Sequence, residues 1–537
     1  MKSTSTSKRI SPLQKTTNIF NRGFFIFYTF LFTITLFGGI ISVAIFGELN
    51  TEYPMPVIIV VLRFTALILS FVGIAAAFIA LCRILSSEKR SRIDARRFNT
   101  KIIFGCVGLM LIFQLIAAFC LRMNPITDVA SVDSYARRIV TDNSFDCLDT
   151  SFNNHYIIRY QNNIFILLFT TLVYKITYAL TGSISYTPMI ILSTLAINSA
   201  VLMTVLTARR VFGERKALFT LMLCAFFAPY YTYTPYFYTD SFSLPLVAGT
   251  VYVFTVATQS KKRSRKALLL LISGAICFIG FKMKGSVIIL IPALLIYMLL
   301  KYGIKRAAKM SAALLLSFCM LFAGFTVAFK NSHIISEESS ERYQFPAAHW
   351  VMMGVKDFGA FNFDDDDFSK SYPNKTERQE ANIKEIGRRV NEMGFFGMAV
   401  HLGKKAVWTY MDGTYYVANY LQNPQQRTPL QDFVLYNGKY RFGFFSYSFG
   451  YQMFLMAMIA YSGLCARRKG ETGMTTLFRI AIFGMVLFFL IWETNSRYPF
   501  NFTPLYMLLA TEGAFGFVEH RKAKKAKKYT INTQNKP

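Results

Sequence analysis

Residues 163–180 read NIFILLFTTLVYKITYAL, and the placement of this stretch decides the topology of the whole chain. If it crosses a membrane, Arg209, Arg210, Arg215 and Lys216 fall outside, and every later basic segment flips with them. If it lies along the outer face, all the basic segments are cytoplasmic, as the Lys/Arg excess of inner loops requires. Its exit through Thr181, Gly182, Ser183, Ser185 and Pro188 is rich in turn formers and fits an interfacial or re-entrant helix. The stretch is therefore read as an external juxtamembrane helix.

Around it, apolar blocks stand near 24–46, 57–82, 102–121, 187–207, 217–234, 242–258, 267–282, 286–301, 310–329, 445–464, 474–492 and 499–518. Most are long enough to cross a hydrocarbon core of about 30 Å as a helix, the one state that satisfies its own backbone there. The chain is 53% hydrophobic and 16% charged, too little charge for a soluble protein of 537 residues. The expected fold is all-α: a multi-pass integral membrane protein of about 12 transmembrane helices. Both termini are expected inside, with one large external loop at 330–444. By segment, 1–101 is a cytoplasmic arm with two helices, and 102–329 is a transmembrane module whose first external loop spans 122–186. The loop 330–444, the helices of 445–518 and a basic tail 519–537 follow.

The net charge of +30 raises the question of nucleic acid, but its distribution answers no. Basic residues bunch between the apolar blocks, at Lys89–Arg97, Arg209–Lys216, Lys261–Lys266, Lys305–Lys309, Arg467–Lys469 and Arg521–Lys528, together with Lys8, Arg9, Lys15 and Arg22. The tail also suits contact with anionic lipid headgroups. Eight cysteines are scattered without CxxC spacing, so neither a disulfide framework nor a zinc site is indicated. Only Cys147 sits well out in an external loop, with Cys120 the cysteine to which it could be bridged.

Polar residues gather outside in three places. The first runs from Asn124-Pro125-Ile126-Thr127-Asp128 through Asp133, Tyr135, Arg137 and Arg138 to Tyr160-Gln161-Asn162-Asn163. The second is the turn Pro235-Tyr236-Phe237-Tyr238-Thr239-Asp240. The third is the long loop, with His349-Trp350, the acidic run Asp364–Asp367, Lys404-Lys405, Trp408 and Asp412. Lys282 and Lys284, and Glu493 with Arg497, stand at the outer boundary against the charge bias. A charge at membrane depth costs roughly 2.5–3.5 kcal/mol, so it ordinarily has a partner or a task. Converging cations there suit a phosphate or pyrophosphate headgroup. The competing reading is snorkelling lysines and a structural Glu493–Arg497 pair. There is no Walker glycine loop, GxGxxG, HExxH or GxSxG, and no cytoplasmic segment large enough to hold a nucleotide. Lipid-linked substrates reached from the bilayer are the natural choice.

In these features the chain resembles the GT-C superfamily of membrane glycosyltransferases, especially the bacterial branch similar to protein O-mannosyltransferases and aminoarabinose transferases. The match rests on Asp128 in the first external loop, the 163–180 helix, the next two crossings, and Tyr238-Thr239-Asp240. Lys284-Gly285-Ser286, His349-Trp350 and Glu493 to Arg497-Tyr498 also look like features of Gram-positive members. The resemblance covers roughly residues 102–518, leaving the first two helices as an N-terminal addition. The chain departs from the pattern at Tyr160-Gln161-Asn162-Asn163, where a Pro-Pro or Tyr-Pro element is common. It also lacks an Asp-x-Asp pair in the first two external clusters, which with the mannosyltransferase-like branch implies metal-independent chemistry without a cofactor. The aspartates 364–367 are read as a solvated acidic loop, with a divalent cation as the alternative.

The expected activity is glycosyl transfer from a polyprenyl-phosphate sugar to a saccharide, lipid or protein acceptor at the outer face, in cell-envelope assembly. Lys284 and Arg497, with Lys282, would hold the phosphate, and Asp128 would be the general base, with Asp133 its rival. Asp240 and His349 would position acceptor or sugar, and Tyr238 and Trp350 could stack on a pyranose face. Glu493 completes the expected substrate-binding set. The alternative is a transporter or flippase, or a polymerase or ligase, of lipid-linked saccharides. A transporter calls for charged or helix-breaking residues near mid-membrane and for related halves. Neither is evident in the sequence.

Overall fold

The computed structural model describes residues 11–46, 56–86, 95–469 and 472–534. Lys8 and Arg9 of the arm, Lys89, Arg90 and Arg92 of the first basic loop, and the last residues of the tail lie outside them. Among the described residues there is no β-strand, only a single bridge between Met123 and Pro424, and eleven helices are long and apolar enough to cross a membrane.

The first three blocks form α1 (Pro12–Phe46), α2 (Val57–Leu85) and α3 (Ala95–Cys120). Next comes α4 (Thr127–Asp142), whose Val129, Val132, Ala136, Ile139 and Val140 recur at helical spacing and are buried. This apolar face packs on α5 (Ile164–Thr181), the helix formed by the stretch that decides the topology. The chain continues into α6 (Thr187–Phe212), antiparallel to α3 along its whole length. Arg122 donates to Thr187 at one end (2.9 Å), Asn198 to Gln114 midway (2.9 Å), and Arg209 to Thr100 at the other (2.8 Å). These two ends are called polar and basic below.

By length and composition α5 qualifies as a crossing helix, but its contacts keep it at the polar end. Asn163, just before it, accepts from Tyr238 (2.9 Å), and Tyr186, just after it, stacks on Phe237 with ring centres 5.7 Å apart. Both ends of α5 therefore meet the same turn, and the chain leaves the helix on the side where it entered.

Two other segments do pass from end to end although the criteria of length and apolarity miss them. One is a broken helix. It starts as α7 (Glu214–Ala225) with Glu214 on Arg209 (2.6 Å), breaks at Phe226, forms the short helix Pro229–Thr232, and ends with Tyr236 on Arg497 (2.7 Å). The other is the final helix, described below. Removing α5 from the eleven candidates and adding these two gives the twelve passages that the charge pattern requires.

From the turn at the polar end α8 (Thr239–Gln259) leads away, and α9 (Arg263–Met283) returns to it. They are followed by α10 (Leu290–Tyr302) and α11 (Ile304–Asn331). The segment 330–444 is largely helical rather than an open loop, with short helices at Glu337–Tyr343, Ala347–Gly354 and Phe363–Lys370. Its longest helix, α12 (Lys375–Tyr410), is kinked at Gly394, whose φ of +58° lies in the left-handed region. The acidic run is a helical turn rather than a loop, with Asp364 and Asp367 exposed, and among the described residues it forms no cluster able to hold a metal ion. Asp365 and Asp366 are buried, Asp365 holds Arg389 through both oxygens (2.6 and 2.9 Å), and Asp366 meets Lys370 and Arg159. Asn362 caps this helix from in front, so the run is a helix N-terminus that the neighbouring cations neutralise. Cys120 and Cys147 are both free thiols, so the bridge between them is not formed.

The last three helices are α13 (Arg441–Lys469), α14 (Met474–Ile491) and α15 (Thr503–Gln534). Against α13 pack α1 and α2, for example by Phe78 stacked on Phe454 at 5.2 Å, which makes the N-terminal pair part of the C-terminal bundle. Polar residues are also buried among these helices, contrary to the expectation from the sequence. Arg479 of α14 is fully buried and donates to Glu512 of α15 (2.7 Å) and to Asn21 of α1 (2.9 Å), while Pro245 lies inside α8, which continues through it. Breaking such a buried pair leaves a naked charge. Arg479→Met is therefore expected to destabilise the protein by about 3–5 kcal/mol, with most of the loss recovered when Glu512→Met is added. Thermal unfolding of the three proteins in nanodiscs checks this, and equal stability of the single and double variants would exclude it.

A cluster of charges and tyrosines at the polar end

The site begins with backbone strain. Thr127, the first residue of α4, has a φ of +51°, a conformation a β-branched side chain rarely adopts. The next residue is Asp128, in the first helical turn, where the helix dipole favours a carboxylate. Its Oδ1 accepts from the Tyr156 hydroxyl (2.8 Å) and its Oδ2 from Arg497 Nη2 (2.9 Å). The side chain is 32% exposed, more than its ion-pair partner Arg497 or either member of the Asp240–Lys284 pair.

Arg497 sits in the turn between α14 and α15. Its Nη1 donates to the Tyr236 hydroxyl (2.7 Å), and its guanidinium lies 4.9 Å from the ring centre of Tyr420, 5.3 Å from Tyr498 and 5.5 Å from Tyr238. Tyr238 donates to Asn163, which in turn donates to Tyr156 (2.9 Å), closing a polar circuit back to Asp128. Beside it Lys284, in extended backbone just past α9, is ion-paired with Asp240 of the first turn of α8 and lies 5.1 Å from the Tyr498 ring. The Tyr498 hydroxyl donates to both carboxylate oxygens of Glu493 (2.8 and 3.0 Å). Three polar atoms of this region are buried without a partner: Asp240 Oδ2, Arg497 Nε and Asn501 Oδ1. Buried polar groups are nearly always satisfied, so these three atoms are left with unused hydrogen-bonding capacity.

Asp128, Tyr238, Asp240, Lys284, Glu493 and Arg497 are thus brought together, and four other expected site residues are not. Asp133 is held by Arg137 (2.7 Å) and Tyr174, tying α4 to α5, so it is no rival base. Lys282 lies on the rings of Phe325 (4.5 Å) and Phe322 (4.9 Å) of α11, away from the Lys284–Asp240 pair. His349 is fully buried against Ser369 (2.7 Å), and burial lowers its pKa to about 4, which leaves it neutral within the fold of the 330–444 segment. Trp350, half-buried, stacks on Trp492 (5.7 Å), and its carbonyl accepts from the Glu493 amide (2.9 Å), so it supports the turn from outside the cluster. Tyr238 is buried, with Arg497 over its ring, so it has no open face for a pyranose. The pairing Glu493–Arg497 is replaced by Glu493–Tyr498 and Arg497–Asp128.

Sequence reading missed Tyr156, Asn163, Tyr420 and Asn501 as site members. It also missed Lys405, fully buried with Nζ on the carbonyls of Gly354 (2.8 Å) and Leu490 (3.2 Å), where burial pulls its pKa down to about 7. Gly354 lets its helix approach this closely, because a Cβ there would stand 2.4 Å from the Ile491 carbonyl oxygen. The one signal was the density of tyrosines in 230–238 and 415–420.

Burial also pushes Glu493 up from 4.5 to about 7, against the hydrogen bonds from Tyr498. A raised acid stabilises the fold fully below its unfolded pKa, and the contribution fades as pH rises through the folded value. For Glu493 the window is therefore 4.5 to about 7, and the shift corresponds to about 3 kcal/mol. The Glu493→Gln variant should lose this falling limb and be the more stable protein at pH 8. Melting curves of both from pH 4.5 to 8 measure it; parallel curves would remove Glu493 as the titrating group.

A family model described as a conserved hypothetical integral membrane protein matches residues 16–514 of the chain. No curated protein and no solved structure matches it.

Proposed function

We propose that this chain, which belongs to the conserved hypothetical integral membrane protein family, is a glycosyltransferase of GT-C type that uses a polyprenyl-phosphate sugar as donor. The observation that carries the reading is the meeting of Asp128, Asp240, Lys284 and Arg497 from four separate stretches of chain at one end of the bundle. The basic loops lie at the other end, so this end is taken as the external face, with both termini cytoplasmic.

In the reaction, Lys284 and Arg497 exchange their carboxylate partners for phosphate oxygens of the donor. Asp128 then takes the proton of the acceptor hydroxyl as that oxygen attacks the anomeric carbon. The bond from that carbon to the phosphate oxygen breaks, and the electron pair leaves on the phosphate, where the two cations stabilise it. A single displacement of this kind inverts the anomeric centre. Asp240 and Glu493 position Lys284 and Tyr498 rather than react. Strain at Thr127 and the unpartnered atoms of Asp240, Arg497 and Asn501 fit a site built for a substrate.

A second reading draws on the break after α7, since an interrupted helix beside a polar site is also a transporter feature. Membrane vesicles given labelled polyprenyl-phosphate sugar distinguish the two. Label moving to an acceptor in the outer-face compartment supports the transferase. Lipid crossing the bilayer with no new glycosidic bond would establish the transporter instead.

A further inference from the structure

A cavity of about 610 Å³ lies beside the charged cluster, lined by Phe119, Arg122, Asn124, Gln425, Gln426 and Thr428. None of the cluster residues lines it. The volume falls in the range of about 300–1,000 Å³ usual for small-molecule sites. Its two walls are fastened together. The Asn124 amide donates to the Asn423 carbonyl (2.8 Å), the Gln425 amide to Arg122 (3.2 Å), and the Thr428 hydroxyl to Cys120 (2.7 Å).

Both walls run directly into the cluster. From Asn124 the chain reaches Asp128 in four residues, and from Gln425 it leads back in five to Tyr420, which lies against Tyr236 and Arg497. The lining chemistry is three amides, a hydroxyl and a single guanidinium. That guanidinium is partly engaged, over the Tyr186 ring (4.9 Å) and on Thr187, with its Nε buried and unpartnered. The Gln425 side-chain nitrogen already donates to Asn124 (3.2 Å) and to Tyr186, while exposed Gln426 still presents donor and acceptor together, which suits the hydroxyls of a neutral sugar, whereas a phosphate calls for several free cations. Phe119, the one apolar member, is 45% exposed and continues the outward stripe of Leu109, Ile112, Phe113 and Ile116 on α3. This stripe is where a lipid chain would run.

We infer that the cavity is a binding site for the neutral saccharide headgroup of a lipid-borne glycan, which on the transferase reading is the acceptor. The inference rests on that reading for the word acceptor and not for the binding itself.

The test uses the full chain in phosphatidylcholine nanodiscs. The probes are tetrasaccharides of glucose, galactose, mannose and N-acetylglucosamine, each free and as its hexadecyl glycoside, with binding followed by saturation-transfer NMR. At least one hexadecyl glycoside should bind, at least tenfold more tightly than its free sugar. Gln426 is exposed on the wall, and Gln426→Ala should weaken binding fivefold or more while Gln426→Trp abolishes it. Adding 10 mM inorganic phosphate should leave binding unchanged. No binding by any probe, binding indifferent to both Gln426 variants, or displacement by phosphate would overturn the inference. Equal affinity of free and hexadecyl forms would overturn the lipid-borne assignment. Binding intact without any glycosyl transfer would remove the transferase and leave the cavity. Transfer with an unchanged acceptor KM in Gln426→Ala would do the reverse.

Discussion

Replacing Asp128 with asparagine should lower glycosyl transfer by about 10²–10⁴-fold, the usual contribution of a positioned general base. The amide oxygen can still accept from Tyr156 or from Arg497, so the polar circuit stays largely in place. What is lost is an oxygen able to take up the acceptor's proton. Transfer rates in vesicles, normalised to protein amount, give the number. A fall of less than tenfold would move the base to another carboxylate of the cluster. Donor binding, measured separately with the labelled lipid, should change much less than turnover, because the cations that meet the phosphate remain.

The second large effect is at Arg497, in the charge-conserving variant Arg497→Lys. A lysine retains the positive charge but not the fork that reaches Asp128 and Tyr236 at once, nor the flat face set against Tyr238, Tyr420 and Tyr498. Losing one oriented donor to developing charge typically costs about 10²–10³ in rate. Transfer is expected to fall by that amount, while the melting temperature in nanodiscs drops by only a few degrees because the charge balance with Asp128 is kept. Retention of more than a tenth of the activity would mean that Arg497 acts only as a charge. The variant Arg497→Gln removes the charge as well and should be clearly less stable than the lysine form.

Much of this architecture could be read without coordinates, because a bilayer imposes length and apolarity on each crossing and charge on each loop. By composition α5 could cross, whereas the charge parity of the loops has it lie flat, and both of its ends meet the turn at 235–240. Lys284 and Arg497 stood out because charge near the membrane boundary is costly and therefore rarely idle, and Asp128 and Asp240 because they lie in the external polar clusters that carry the resemblance. Asn163 and Tyr156 did not, since an amide and a phenol in a polar stretch look the same whether they face solvent or close a circuit. Lys282 and Lys284 are two residues apart, yet one lies on phenylalanines and the other on a carboxylate. Helix ends set such directions, and spacing alone does not. The Arg479–Glu512 pair was hidden for another reason: its members lie in different helices, and nothing in the spacing of either shows that they face each other. The acidic run misled in the opposite sense, for its partners Arg159 and Arg389 come from far along the chain.

The return of α5 to the side it started from has a consequence for how the protein is made. A translocation channel samples each nascent segment by its apolarity, and by that measure α5 is a fit passenger for the bilayer. Its release to the surface therefore has to come from something already synthesised. The helix α4 leaves the ribosome first, carrying Asp133, whose carboxylate is the anchor for Tyr174 of α5. Lys175 beside it reaches Asn143 at the far end of α4 (3.3 Å). Because α4 precedes α5, both contacts are available as soon as α5 emerges, and on the reading that α5 lies flat they would help to keep it from crossing.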